Sequence, residues 1–136
     1  MSNMNDNPRI ELKVQQGIRQ SEDSLVIAIQ SALDNTQYGN LEESQFRNLV
    51  RVSDTTESTE VIKNFLLYQV GRDRKWGRGE NSLANRIIHD IDNCIKREAD
   101  SIATYAESEN NKSIHLELIR RYLGYGARYL KYRNSI

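Results

Sequence analysis

Residues 114–133, IHLELIRRYLGYGARYLKYR, carry the strongest helical pattern in the chain. Five large side chains recur at spacings of four, three, four and three residues: Leu118, Tyr122, Tyr125, Tyr129 and Tyr132. Such spacings place side chains on one face of a helix. They predict a helix from Ile114 to about Arg133 whose seam belongs to the core or to a subunit interface. Gly124 and Gly126 cost this helix about 1 kcal/mol each, which indicates close approach by another helix or backbone.

Helical periodicity also precedes this stretch and predicts helices over residues 22–33, 41–53, 57–70 and from 81 or 82 onward. The last of these carries the stripe Leu83, Ile87, Ile88, Ile91 and Ile95, and it continues or restarts through Ile102 and Tyr105. Asn40 with Glu43, and Asp54 with Glu57, are the spacings of helix-start capping boxes. The core face expected for the third helix consists of Val61, Ile62, Phe65, Leu66 and Tyr68.

The composition indicates an all-α protein. The single proline, Pro8, precedes every predicted helix, and β-branched runs are absent. We therefore expect a compact helical bundle of about five helices, formed by residues 21–136 as one domain. Residues 1–20 are polar and weakly patterned, so we expect them to be a flexible, mostly disordered tail.

Several classes of function find no support in the sequence. Cys94 is the only cysteine, which excludes an intramolecular disulfide and a cysteine-based zinc cluster, and we expect its side chain to be buried. No apolar run is long enough for a membrane helix, and the first residues do not resemble a signal peptide, so we expect a cytoplasmic protein. His89, Asp90 and Asp92 lack the spacing of a metal or acid–base site. We expect no catalytic residues, no metal and no cofactor.

Charge is unevenly distributed in a chain whose net charge is zero. Residues 1–62 contain five Arg and Lys against ten Asp and Glu, whereas residues 63–136 contain fourteen against nine. The two segments therefore carry −5 and +5, which suggests an acidic region that faces a partner and a basic region that faces phosphates.

Three basic patches could present cations to phosphate groups. They are the pair Arg47 and Arg51; the glycine-punctuated connector 71–79 with Arg72, Arg74, Lys75 and Arg78; and the last helix with Arg120, Arg121, Arg128, Lys131 and Arg133. The alternative is an ordinary solvated face with salt bridges. Trp76 lies within the connector, where its indole either stacks on a base or packs against a helix end.

Three short stretches, in order along the chain, match one known family. Residues 44–50, SQFRNLV, fit a helix with the pattern serine, any residue, hydrophobic, arginine, asparagine or lysine, leucine. Residues 65–72, FLLYQVGR, fit a helix that ends in an aromatic-x-Ala-Gly-Arg-like motif, with Val70 replacing the alanine. Residues 122–132, YLGYGARYLKY, fit a tyrosine-rich last helix with small residues. Over about residues 41–133, the chain thus resembles the small subunit of type III-A CRISPR (Csm) interference complexes.

This resemblance implies a helical bundle with no enzymatic activity that works inside an RNA-guided antiviral complex. In that family, several copies line a filament-like effector, contact the backbones of guide RNA and target RNA, and touch the large signalling subunit. Base pairing reads the sequence there, so the protein needs only complementary shape and charge. The implied partners are guide RNA, target RNA and other Csm subunits, with possible self-association and no membrane.

Eight residues are our candidates for RNA binding: Arg47, Arg51, Arg72, Arg74, Lys75, Arg78, Arg128 and Lys131. Arg47 and Arg72 lie inside matched motifs, Arg51 shares a face with Arg47, and Arg128 lies in the third matched run. The alternative for a motif arginine is a clamp between helices through a buried carboxylate. At the level of the whole protein, the alternatives are a helical adaptor that uses the seam from Tyr122 to Tyr132 and, with less support, a nuclease or other enzyme.

Overall fold

Helices dominate the part of the chain that the structure, a computed structural model, describes: residues 7–136. Their bounds are α1 (Pro8–Gln20), α2 (Glu22–Asn35), α3 (Glu43–Thr55), α4 (Thr59–Arg72), α5 (Leu83–Asp92), α6 (Cys94–Ala106) and α7 (Asn111–Asn134). Within residues 7–136 there is no strand, only an isolated bridge between Gln37 and Ser82. The predicted all-α helical bundle is confirmed.

The last helix, α7, is the central element of the bundle. Its most extensive contacts are with α2, α3 and α6. Along the predicted seam, Leu118 and Tyr122 are fully buried, whereas Tyr125 and Tyr129 are half-buried against α2. The seam therefore serves the core of this chain, and Tyr132 is its one exposed member.

The two glycines of α7 have different environments. A Cβ atom on Gly126 would lie 2.7 Å from side-chain atoms of both Ile29 and Phe46. Close approach by neighbouring helices therefore requires glycine there, as the sequence predicted. A Cβ atom on Gly124 would meet no atom within 4 Å, so packing inside the described chain does not explain that glycine.

Helix α1 corrects our prediction of a flexible tail over residues 1–20. Asn7 caps the helix by accepting a hydrogen bond from the Ile10 N–H (2.9 Å), and Pro8 occupies the first turn, where its missing N–H costs nothing. The helix buries Val14 and Ile18. Its pairing with α6 is so close that a Cβ atom on Gly17 would lie 2.8 Å from Ile102. Residues 1–6 of the predicted tail lie outside the described residues.

The stripe predicted from residue 81 onward forms two helices, α5 and α6, separated at Asn93. The Asn93 backbone departs from helical geometry (φ −120°, ψ −87°), and its side-chain amide donates to the His89 carbonyl at 2.8 Å. The Ile91 carbonyl, near this break, accepts a hydrogen bond from His115 Nε2 on α7 (2.7 Å). With α1, this break accounts for the seven helices within residues 7–136, where about five were expected.

Helix starts differ from the predicted capping boxes. Glu42 precedes α3 and donates its N–H to the Gln45 side chain (2.8 Å), so α3 begins later than the box at Asn40 implied. Ser58 caps α4 by accepting from the Val61 N–H (3.3 Å), in place of Asp54. Both helices also end two residues beyond the predicted ends.

Cys94 is exposed, which corrects the prediction that it is a buried small side chain. The sulfur atom is nevertheless partly covered, since Sγ lies 3.8 Å from the Asp90 carbonyl oxygen. This partial burial raises the pKa of the thiol. Among the described helices, none combines the length and the apolar composition needed to cross a membrane.

Candidate nucleic-acid interface

The connector between α4 and α5 is a fixed backbone frame. Its hydrogen bonds to the loop after α2 join Gln37 N–H to the Asn81 carbonyl (2.8 Å) and Gly39 N–H to the Lys75 carbonyl (3.1 Å). Gly77 has a φ of 80°, and a Cβ atom there would lie 2.2 Å from the Gln37 carbonyl oxygen. Only glycine fits a position that has a left-handed backbone conformation and also lies directly against another backbone segment. The connector therefore holds its charged side chains on a defined surface.

Trp76 anchors this frame from the inside. The indole is 1% exposed, and its ring centre lies 5.3 Å from that of Phe46 on α3. Of the two alternatives left open by the sequence, packing is therefore the correct one, because a side chain this deeply buried cannot stack on a base.

The cationic side chains of this region point outward. Arg72 and Arg74 are exposed, and the Arg72 guanidinium lies over the Tyr68 ring, 5.7 Å from its centre. Arg78 donates to the Val70 carbonyl at the end of α4 (3.2 Å), and Lys75 is half-buried. Within residues 7–136, none of these four cations forms a salt bridge. They are therefore available to a negatively charged ligand.

On α3, Arg47 and Arg51 interact only with neighbours on their own helix. Arg47 Nε lies 2.7 Å from Glu43 Oε2, and its side chain remains 50% exposed. Arg51 donates to Asn48 Oδ1 at 2.6 Å. Because Glu43 is four residues away and accessible, this is a surface pair of small energy. It is not the buried clamp between helices that we considered as an alternative.

The basic residues of α7 divide into two groups. Arg128 and Lys131 are exposed and form no hydrogen bond or ion pair with the residues that the structure describes. Lys131 lines an open depression of about 330 Å³ with Glu42, Glu43 and Ser44 of the α3 start.

Three other α7 arginines are used by the fold. Arg120 donates to the Ser53 and Thr56 carbonyls (2.7 and 2.9 Å), which lie at the end of α3. Arg121 pairs with Glu22 (2.7 Å) and Glu117 (2.9 Å). Arg133 pairs with Asp34 (2.8 Å). The third predicted patch is thus smaller than its charge count suggested.

Seven of the eight candidate residues lie at one end of the bundle. The start of α3 meets the end of α7, where Asn134 donates to the Leu41 carbonyl (3.0 Å), and it meets the connector through Phe46 and Trp76. At 1.5 Å rise per residue, Arg47 lies about 6 Å along α3 and Arg128 about 9 Å before the end of α7. Arg51 lies in the second half of α3, farther from this end. We call the seven residues at this end the connector-end cluster: Arg47, Arg72, Arg74, Lys75, Arg78, Arg128 and Lys131.

Tyr68 lies in this region, and our prediction that it belongs to the core is wrong. We expected Val61 and Tyr68 on the core face of the third predicted helix, which is α4 in the structure, but they are 46% and 57% exposed. The signal was present in the run Phe65-Leu66-Leu67-Tyr68. Four consecutive large apolar side chains cover every side of a helix, so an α4 that packs on one side must expose some of them.

The acidic residues near His89 have structural partners. Asp90 is buried, accepts a hydrogen bond from the Tyr122 hydroxyl (2.7 Å) and lies 3.4 Å from Arg86 Nε. Burial of the Tyr122 hydroxyl, together with the Asp90 carboxylate beside it, raises the pKa of Tyr122 well above its ordinary value. Asp92 pairs with Lys63 on α4 (2.9 Å). In the described part of the chain, no group of three His, Cys, Asp or Glu side chains is placed to hold a metal ion.

Comparison with known proteins adds no relative: no family model matches the chain, and neither curated proteins nor solved structures give a match. The resemblance to the Csm small subunit therefore depends on the three sequence stretches quoted above.

Proposed function

We propose that this chain is a non-catalytic small subunit of a type III-A CRISPR (Csm) interference complex that binds the backbones of guide RNA and target RNA. The observation that carries the proposal is the connector-end cluster. Residues from α3, the connector and α7 bring exposed cations to one end of the bundle, and two of the matched motifs supply Arg47 and Arg72. Exposed arginine and lysine side chains are the groups that proteins use most to contact phosphate oxygens.

The uneven charge fits a subunit that works within an assembly. The chain has no net charge, so the long-range attraction to free nucleic acid is weak, and affinity depends on local contacts. Other subunits that hold the same RNA would raise the effective concentration of the cluster. We therefore expect weak, salt-sensitive binding by the free protein and firm binding in the complex, which we place in the cytoplasm.

The test is a titration of single-stranded and duplex RNA at two salt concentrations. The variant is the double substitution Arg47→Glu and Arg72→Glu. The matched control is Lys96→Glu with Arg97→Glu, which changes the net charge equally. Lys96 pairs with Asp100, and Asp100 accepts from Asn111 at the start of α7, so this site is at the opposite end of the bundle.

We expect the Arg47/Arg72 variant to bind RNA at least tenfold more weakly and to show a smaller salt dependence, since each lost phosphate contact reduces the slope by about 0.7 for a single strand. The control variant should bind like the wild type, and both should keep the helical circular dichroism signal. Equal weakening in both variants would indicate a general charge effect, and no weakening in the first would remove the site assignment.

One observation favours a second candidate, a helical protein–protein adaptor. An open depression of about 530 Å³ between α4 and α5 is lined by Val61, Leu67 and Ile88. The seam we first considered for this role is used inside the chain, so α4 is the better surface. Light scattering on the wild type and on Val61→Ser with Leu67→Ser would show this role as a loss of oligomer that leaves RNA binding unchanged.

A further inference from the structure

Tyr68 differs from the tyrosines that hold the bundle together. The hydroxyls of Tyr122, Tyr125 and Tyr129 each donate to a carboxylate on another helix at 2.7–3.0 Å. The Tyr68 hydroxyl has no hydrogen-bond partner among residues 7–136, and its ring is 57% exposed. The fold therefore does not account for the exposed aromatic surface at this position.

The ring is nevertheless held in place. Phe65 lies one turn earlier on α4 and packs against Tyr68 with ring centres 6.2 Å apart. The Arg72 guanidinium covers the ring from one turn later, 5.7 Å from its centre. An aromatic ring fixed on a helix loses little conformational entropy when a flat ligand stacks on it.

The charges around Tyr68 restrict the choice of ligand. Arg72 lies over the ring, and Arg78 reaches back to the Val70 carbonyl (3.2 Å) at the end of α4, so both charges near the ring are positive. A second copy of this chain that docked on the same face would bring like charges together, which is unfavourable. A ligand with a flat aromatic group linked to negative charges would satisfy both the ring and its neighbours.

We propose that Tyr68 is a stacking platform for an unpaired base of single-stranded RNA, while Arg72 leaves the ring and contacts the adjoining phosphate. This deepens the proposed function and rests on it, because it adds recognition of a base to recognition of the backbone. Stacking is sequence-tolerant, since every base has an aromatic face. Trp76 is buried and supports the fold beneath this site. Tyr68 therefore takes the stacking role that we considered for Trp76 from the sequence.

The experiment compares two labelled strands of the same length, about twelve nucleotides, which is within the site size of small single-strand binders. One is ordinary single-stranded RNA, and the other is an abasic strand that keeps the phosphates and lacks the bases. Their affinities are measured by fluorescence anisotropy at low salt. Three variants are compared with the wild type: Tyr68→Leu, Tyr68→Phe and Tyr105→Leu.

Tyr105 offers a close match for Tyr68. It is 60% exposed and has a cation over its ring, Lys13 Nζ at 5.8 Å. It lies at the end of α6, away from the connector. Substitution by leucine keeps the apolar bulk and removes the aromatic face at either position. Tyr68→Phe keeps the aromatic face and removes only the hydroxyl, which separates stacking from hydrogen bonding.

We expect the wild type to bind the base-containing strand about tenfold more tightly than the abasic strand, as one stacked base would give. Tyr68→Leu should bring this ratio close to one without changing affinity for the abasic strand. Tyr68→Phe and Tyr105→Leu should retain it. The emission of the buried Trp76 should stay unchanged, which confirms that the fold is intact.

Four outcomes would overturn the inference alone. Three concern Tyr68→Leu: an unchanged ratio, equal weakening toward both strands, or a change of molecular mass in light scattering that indicates a protein interface. The fourth is equal binding of both strands by the wild type, in which case the proposed function survives and Tyr68 has no stacking role. If the wild type binds neither strand, the proposed function fails and this inference fails with it.

Discussion

The two halves of α7 use the same residue types for different purposes. In the first half, residues 111–122, Arg120 holds the end of α3 and Arg121 holds Glu22 on α2. In the second half, residues 123–134, Arg128 and Lys131 face outward with no partner in the described chain. Arg133 joins the first group through Asp34, so the division follows the face of the helix as well as its length.

The difference shows what decides the role of a basic residue in this bundle. An arginine becomes structural where a carboxylate or the carbonyl end of another helix lies within its reach. It stays free where its side chain lies on the solvent-exposed face of α7. A count of charges along the sequence records both kinds alike, which is why the third predicted patch included residues that the fold uses.

The comparison between the two kinds of arginine is tested by replacing one of each with alanine. Arg120→Ala removes charge-assisted hydrogen bonds to two carbonyls at the end of α3, so we expect the free energy of unfolding to fall by about 2 kcal/mol. Arg128→Ala should change it by less than about 0.5 kcal/mol, since the side chain has no partner to lose. Urea unfolding followed by circular dichroism measures both. Equal losses would show that the two halves do not differ.

Gly126 lies on the inner face of the second half of α7, and Gly124 lies on its outer face. Substitutions at these two glycines therefore compare the two faces. Gly126→Ala places a methyl group against Ile29 and Phe46, so we expect a loss of about 1–3 kcal/mol in the free energy of unfolding. Gly124→Ala meets open space and should raise it by about 0.5–1 kcal/mol, because alanine favours a helix more than glycine does. Thermal unfolding gives both signs. Changes of the same sign in both variants would contradict the packing described here.

The smallest effect concerns His115 in the first half. Burial lowers the pKa of His115, and Nε2 carries the proton donated to the Ile91 carbonyl. The unfolded chain therefore binds a proton at a higher pH than the folded chain does. The free energy of unfolding should thus decrease as the pH falls below the ordinary histidine value of about 6.5.

His115→Gln should weaken this dependence. Urea titrations between pH 7.5 and about pH 5 provide the comparison. A pH dependence that is identical in the variant and the wild type would remove His115 as its cause.

Much of the fold could be predicted from the periodicity of the longer helices. The seam of α7 and the stripe of α5 and α6 each repeat over many residues, so their helical form needs no tertiary information. Helix α1 could not be predicted in this way. Its buried side has only Val14 and Ile18 fully buried, with Ile10 partly buried beside them, and its contact with α6 depends on Gly17, which contributes no apolar side chain to a pattern.

The sequence predicted which types of residue form the candidate site, but not which individual residues lie on its surface. Motifs and charge pointed to Arg47, Arg72 and the connector. The structure leaves Arg47, Arg72 and the connector arginines exposed, whereas Lys75 is half-buried. Tyr68 could not be distinguished from a core residue, because its exposure depends on which face of α4 packs. The burial of Trp76 likewise depends on the position of Phe46 in the folded chain, which no local pattern records.

We propose that the connector-end cluster binds RNA, and amide NMR spectra of the labelled protein can locate the binding surface. On addition of single-stranded RNA at low salt, we predict chemical-shift changes in residues 71–79, in the first turns of α3 and in the last turns of α7. The junction of α6 and α7 should be unaffected. Changes confined to α1 and α6, or no changes at all, would rule out this surface as the RNA-binding site.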